Sequence, residues 1–207
     1  MVHYKLTYFN ARGVAETSRQ LFFLAGEPFE DNRLTEQEFL ELKPTLPTGQ
    51  VPILYIDGVP YSQSASIARY LARKFGFAGK TAEEELSADV IVDTFKDFVV
   101  SYTKFVIAVL SKESSEKVNE IREVIMKPAV NTYTSFLKRI IEKSKSGYLV
   151  GDGLTWADLL VADNLATLIT FEFIDAENHK PLFEFHKKVV ETPKLKEWLE
   201  KRPETKF

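Results

Sequence analysis

Gln50 to Phe75 reads QVPILYIDGVPYSQSASIARYLARKF, and it combines a hairpin with a helix start. Ile53-Leu54-Tyr55-Ile56 and Val59-Pro60-Tyr61 are short β-rich runs joined by Asp57-Gly58, a dipeptide suited to the positive φ angles of a two-residue turn. The spacing predicts an antiparallel pair. Ahead of it, Val51-Pro52 is a point where a tight X-Pro bond, cis included, can turn the backbone. The amide and carbonyl of Val51 would then face outward, where an extended peptide could pair with them. Behind the pair, Ser62-Gln63-Ser64 leads into a helix that is apolar at Ile67, Ala68, Leu71 and Phe75 and stops at Gly76. The first amides of a helix lack partners within it, and its dipole favours negative charge, so Gln63 and Ser64 stand where a carboxylate would bind. A backbone-reading turn beside a carboxylate-reading helix start suits a short acidic peptide. Each piece is common as plain structure, and their order and spacing carry the inference.

On the N-terminal side, His3 to Phe9 alternates as a strand and Asn10-Ala11-Arg12-Gly13 breaks it. Val14 to Ala25 is a helix ending at Gly26, and Phe29 to Leu34 is a second strand, so the unit reads as a parallel strand-helix-strand crossover. Thr35 to Glu38 is a capping box for a short helix through Leu42, closed by Pro44 and Pro47. The first ~78 residues thus have the order βαβ-α-ββα, a mixed sheet with helices on its faces. Gly76 to Thr81 reads as a linker, and from Ala82 onward the period is helical. Glu83 to Leu110 is one long helix with apolar positions Val90, Phe95, Phe98, Tyr102, Phe105, Val106 and Val109. Glu116 to Lys145 is another, interrupted near Pro128. Thr155 to Asp158 opens an apolar helix through Thr170, with Asp158 read as a cap, and Leu182–Glu191 and Lys194–Lys201 complete the set.

Composition narrows the function classes. With 207 residues, 44% of them hydrophobic, the chain can bury a core, and a net charge of -3 without a basic aromatic cluster gives no reason to expect nucleic acid. No run is long and apolar enough for a membrane span and no signal pattern is evident, so a cytoplasmic location is expected. There is no cysteine, so any sulfur chemistry must use sulfur brought by a ligand. His3, His179 and His186 are scattered and suggest neither a metal site nor a triad.

YKLTYFNARG, LPTGQVPIL, the SQS before IARYLA, and GLTWADLLVAD together resemble the cytosolic glutathione transferases, from Tyr4 to Arg202-Pro203. YKLTYFNxRG with VDTFKDF resembles the sigma class, which includes the haematopoietic prostaglandin D synthases. The resemblance implies an α/β thioredoxin-like domain over residues 1–78 that binds glutathione, and an all-α domain over 82–207 that contributes the electrophile pocket and dimer contacts. It implies a cytoplasmic homodimer with glutathione as co-substrate and a hydrophobic electrophile as the other substrate. No metal is expected, since Lys96 stands between Asp93 and Asp97 in the acidic cluster of some relatives. By family position Gln63 and Ser64 take the γ-glutamyl carboxylate, both backbone groups of Val51 pair with the cysteinyl moiety, and Lys43 reaches the glycyl carboxylate. On spacing alone Lys43 is a solvated lysine ahead of Pro44. Phe39 stands where the class has a tryptophan, keeping an apolar wall but losing an indole donor. Gly49 and Gln50 form the loop beside it, with Gln50 in place of a lysine. Asp97 would reach the glutathione amine of the other subunit, whereas spacing alone makes it a solvated helix carboxylate.

Tyr8 is expected to carry the chemistry. A thiol of pKa ~8.5 is only about 3% thiolate at pH 7, and a phenol donating to the sulfur stabilises the charged form alone. At roughly 1.5–3 kcal/mol for a hydrogen bond to a charged group, this contact lowers the pKa by about one to two units. The helix start near Val14 adds potential of the same sign. Sigma enzymes have an arginine at the position of Val14, so activation here is expected to be weaker, with Arg12 making a structural contact near the turn. Lys104 replaces a pocket tryptophan of the prostaglandin D synthases. Tyr102 and Phe105 either line the electrophile pocket or belong to the core. A glutathione-dependent peroxidase or prostaglandin isomerase shares these residues. A non-catalytic structural protein or ligand carrier of the same fold would be expected to lose Tyr8 or the Gln63-Ser64 pair.

Overall fold

The alternating run at the N-terminus forms β1 (Tyr4–Phe9), and in the computed structural model, which describes residues 2–207, it lies inside a four-stranded sheet of order β2-β1-β3-β4. Gly26, at φ 70°, ends α1 (Glu16–Ala25) in the left-handed cap that glycine adopts without strain. The chain returns as β2 (Glu30–Leu34), parallel to β1 from Lys5↔Glu30 to Phe9↔Leu34. Phe29 stays outside the strand and stacks on Phe22 at 4.5 Å. The capping box ahead of α2 (Glu36–Leu42) is reciprocal, with the Glu38 amide donating to Thr35 Oγ1 and the Thr35 amide donating to Glu38 Oε2. β3 (Ile53–Ile56) and β4 (Val59–Ser62) form the expected hairpin, with Asp57 and Gly58 at φ 50° and 83°. Behind them α3 (Ser64–Phe75) buries Ile67, Ala68 and Leu71 beside Leu21 and Phe22 of α1.

The helical part begins with α4 (Ala82–Leu110), whose Thr81 side chain accepts from the Glu84 amide. Phe95, Phe98 and Phe105 are buried as expected, but Val90 is 49% exposed. At 100° per residue Val90 lies roughly 140° around the helix from Phe95, which takes it off the core face. The second long helix is divided into α5 (Ser115–Ile121), a wide π turn over Arg122–Met126, and α6 (Lys127–Lys143). The break falls just ahead of Pro128, which has no N–H to continue the ladder from the preceding turn. α7 (Trp156–Thr170) runs through the centre with Leu159, Leu165 and Leu168 fully buried, and α8 (Lys180–Val190) and α9 (Pro193–Lys201) pack outside it. Buried residues of the sheet and of the helices form one continuous cluster from Tyr4 and Leu6 to Val189 and Leu195.

Asp158 caps α7 from a fully buried position. Its carboxylate accepts from the Thr155 amide, the Thr155 hydroxyl and the Leu149 amide, each at 2.7 Å, so it ties the helix start to the preceding loop. Burial pushes its pKa up to about 6, with these hydrogen bonds pulling the other way. A pKa raised on folding contributes stability that is present below the unfolded value near 4 and is lost as pH rises through about 6. Replacing Asp158 by Asn exchanges one of the two carboxylate oxygens for an NH2 group, which leaves one or two of the three donors without an acceptor, and urea unfolding should show a loss of about 1–3 kcal/mol. That loss should be larger at pH 5 than at pH 8; a variant as stable as the wild type at both values would contradict the capping role.

Candidate active site

A cleft of about 510 Å³ opens between the sheet and α4. One wall carries Tyr8, Phe9, Val14, Phe39, Gln50, Val51, Gln63 and Ser64, and the other Val92, Phe95, Lys96, Val99 and Thr103 of α4 with Leu160 of α7. A hollow of about 780 Å³ elsewhere, lined by Phe136, Arg139, Tyr148 and their neighbours, contains none of the expected site residues.

Tyr8 is the next-to-last residue of β1 and is partly buried. Burial raises the phenol's pKa above its ordinary value, against the opposing pull of the Val14 amide and the Arg19 guanidinium. The hydroxyl is therefore neutral at physiological pH and has a proton to donate. α1 begins at Glu16, later than the sequence implies, because Gly13 to Ala15 first make a tight 3-10 turn that brings Val14 to the cleft. Gly13 sits at φ 43°, and a Cβ built there would lie 2.6 Å from the Tyr8 hydroxyl oxygen and 2.9 Å from its ring. Only glycine allows the turn to approach the phenol this closely.

The turn is held by charged residues that the sequence reading did not single out. Arg19 is completely buried, 5.8 Å from the centre of the Tyr8 ring, and donates to the carbonyls of Phe9, Ala11 and Arg12. It also pairs with Asp31 at 2.9 Å and Glu16 at 3.3 Å. Glu16 in turn accepts from the Trp198 indole at 2.7 Å and from Arg202 at 2.9 Å, joining α9 to the same cluster. Arg12 makes the expected structural contact, but at longer range: it reaches Asp163 and Thr167 on α7 and the Lys206 carbonyl. The available signal was Glu16 and Arg19 at i,i+3 on a helix that also packs against the core.

The groups expected to read a peptide lie together. The Val51-Pro52 bond is cis, and among the described residues neither backbone group of Val51 bonds another main-chain group. Gln63 caps α3 at φ 77°, ψ 105°, a strained conformation for a residue other than glycine, and Ser64 follows it into the cleft. Phe39 lies edge-on to Phe9 at 4.9 Å, and Gln50 lines the rim. Three expected residues stand off the lining: Lys43 is exposed with its ammonium 5.8 Å from the Phe39 ring, Gly49 packs beside Lys43 at φ 63°, and Asp97 is exposed on α4. Phe105 belongs to the core, edge-on to Phe171 and Phe173. Tyr102 stacks on Phe98 outside the cleft, and burial pushes its pKa up to about 12. Lys104 is exposed and off the lining. No helix is long and apolar enough to cross a membrane among the described residues.

Two family models match the chain in order: the glutathione S-transferase N-terminal domain over residues 4–73 and its C-terminal domain over 96–202. Glutathione S-transferase 3 of Caenorhabditis elegans is 69% identical over 207 residues, covering 100% of both chains. Among solved structures, a monomeric glutathione S-transferase from the hookworm Necator americanus superposes with a TM-score of 0.91 at 41% identity, covering 99% of this chain and 100% of its own. A Nu-class transferase from Haemonchus contortus superposes at 0.88 with 43% identity over 100% of both chains. The cleft, the sheet that frames it and the whole length of the sequence thus agree, and the protein belongs to the glutathione S-transferase family.

Proposed function

We propose that this glutathione transferase activates its thiol substrate through the Tyr8 hydroxyl, which donates a hydrogen bond to the sulfur and thereby favours the thiolate. The single observation that carries this reading is the phenol itself: partly buried in the cleft, held neutral by its surroundings and approached by the Gly13 turn. A neutral phenol is a donor, not a base, so the thiol's proton leaves to solvent. The gain of roughly 1.5–3 kcal/mol for a charged hydrogen bond would bring a thiol of pKa ~8.5 to about 7.

In the same reading, Gln63, Ser64 and the leading amides of α3 take the γ-glutamyl carboxylate, and the Val51 amide and carbonyl take the cysteinyl backbone. Phe39, Gln50, Lys43 and Gly49 surround the glycyl end, and Asp97 serves the partner subunit's site. Residues 1–78 then form the glutathione-binding domain, while residues 82–207 supply the electrophile's apolar wall through Val92, Phe95, Val99 and Leu160. The YKLTYFNARG and VDTFKDF strings support a place in the sigma class, and the likeness to a Nu-class transferase favours a second assignment, to the Nu class. A homodimer is supported by exposed apolar residues on three elements that adjoin one another, Leu86 and Val90 of α4, Tyr70 of α3, and Val59 and Tyr61 of β4, with Arg69–Asp89 and Arg73–Glu85 pairs joining α3 to α4. The relative from Necator americanus is described as monomeric, which makes oligomeric state a real test.

Tyr8→Phe should lower kcat/KM for an aryl halide tenfold or more while the protein is still retained on glutathione-agarose. The acid limb of the wild-type pH–rate profile should lie near pH 7, and in the variant it should move toward ~8.5. Unchanged turnover or an unmoved profile would remove Tyr8 from this role. Gly13→Ala should lower kcat by an order of magnitude with a smaller change in the KM for glutathione, because it displaces the phenol and not the Val51, Gln63 and Ser64 contacts. Equal changes in both constants would contradict that. Sedimentation should give twice the 23.7 kDa chain mass, reverting to one chain in Leu86→Asp; a monomeric wild type would refute the dimer.

A further inference from the structure

Among the described residues, the cleft lining holds one side chain that carries a formal charge at neutral pH. Lys96 lies on α4 between Val92 and Val99, and successive 100° steps keep it on the stripe formed by Val92, Phe95, Val99 and Thr103. Every other described residue on the lining offers an apolar surface, a neutral hydroxyl, an amide or main chain. Asp93 and Asp97, the nearest acidic residues in sequence, fall off that stripe and do not line the cleft. The Lys96–Asp93 pair is long, at 3.4 Å, and its side chains are 58% and 62% exposed, so water screens it heavily. The ammonium sits on a flexible four-carbon stem and is free to turn toward a better partner in the cleft.

We infer that Lys96 is a specificity-determining residue that selects electrophiles carrying an anionic group, in the form of amphipathic organic acids with a carboxylate. This rests on the reading that glutathione takes the Val51, Gln63 and Ser64 wall, which leaves the α4 wall to the second substrate. An apolar body packs on Val92, Phe95 and Val99, and the carboxylate meets the ammonium at the rim. Low-dielectric walls on both sides concentrate the field of a single charge. The exposure of Lys96 limits the preference to a modest factor.

A matched pair isolates the charge: 4-chloro-3-nitrobenzoate and 4-chloro-3-nitrobenzamide. In both, the glutathione sulfur bonds to the ring carbon bearing chlorine, the C–Cl bond breaks, chloride leaves with the bonding pair, and the thiol proton goes to solvent. The two compounds differ in intrinsic reactivity, so the quantity to compare is the benzoate-to-benzamide ratio of kcat/KM in wild type, Lys96→Ala and Lys96→Glu. That ratio should fall about 3- to 10-fold in Lys96→Ala and further in Lys96→Glu, and in the wild type it should shrink as salt rises. An unchanged ratio in both variants, or a parallel loss of both substrates, would overturn the role of Lys96. Benzamide turnover by the wild type would leave conjugation by the Tyr8 cleft standing in that event, whereas a wild type inactive on both compounds would overturn both readings.

Discussion

Arg19 has no exposed side-chain surface, so its five N–H donors must find partners inside the protein. Nε donates to Asp31, Nη1 is shared among Glu16 and the carbonyls of Ala11 and Arg12, and Nη2 donates to the carbonyl of Phe9, which makes one guanidinium the fastener for the end of β1 and the turn after it. Removing one partner of a buried ion pair costs about 3–5 kcal/mol, so the turn has little freedom to drift. Its position matters because Gly13 packs directly on the Tyr8 hydroxyl. The chemistry proposed for Tyr8 needs the oxygen fixed within a fraction of an ångström, and the charged cluster supplies that restraint.

The same cluster joins the two ends of the chain. Glu16 binds Trp198 of α9 and Arg202 just after it, and Arg12 binds Asp163 and Thr167 of α7. Arg202 also reaches Asp163 at 2.8 Å, so the acidic groups are shared and no charge is left alone. The seam between sheet and helices, where the cleft opens, is thus braced by buried ion pairs as well as by apolar packing. A cleft built on such a seam can present main-chain groups on one wall and an apolar helix on the other.

Elements set by local chemistry were legible in the sequence. The Asp57-Gly58 hairpin, the Thr35 and Thr155 capping boxes, the Gly26 and Gly76 stops and the start of α3 at Ser64 all depend on neighbours a few residues away. The charged cluster was not, because the Trp198 and Arg202 contacts to Glu16 span 182 and 186 residues and leave no periodic signature. Val14 and Ala15, expected as the start of the helix, belong instead to the turn that opens at Gly13, for a similar reason: its shape follows from the approach to Tyr8, a tertiary contact. Val90 is apolar yet faces outward, because hydrophobicity alone does not fix a residue's angle around a long helix. At the site, Tyr8, Val51, Gln63, Ser64, Phe39 and Gln50 line one cleft, whereas Lys43, Gly49 and Asp97, expected like Phe39 and Gln50 from family resemblance, lie outside its lining.

A crystal structure of the protein grown with reduced glutathione measures the decisive distance. The account requires the sulfur within about 3.5 Å of the Tyr8 hydroxyl oxygen, with the γ-glutamyl carboxylate at the start of α3 and the cysteinyl backbone on Val51. A sulfur bound several ångströms from that oxygen, or a tripeptide seated elsewhere on the molecule, would contradict it.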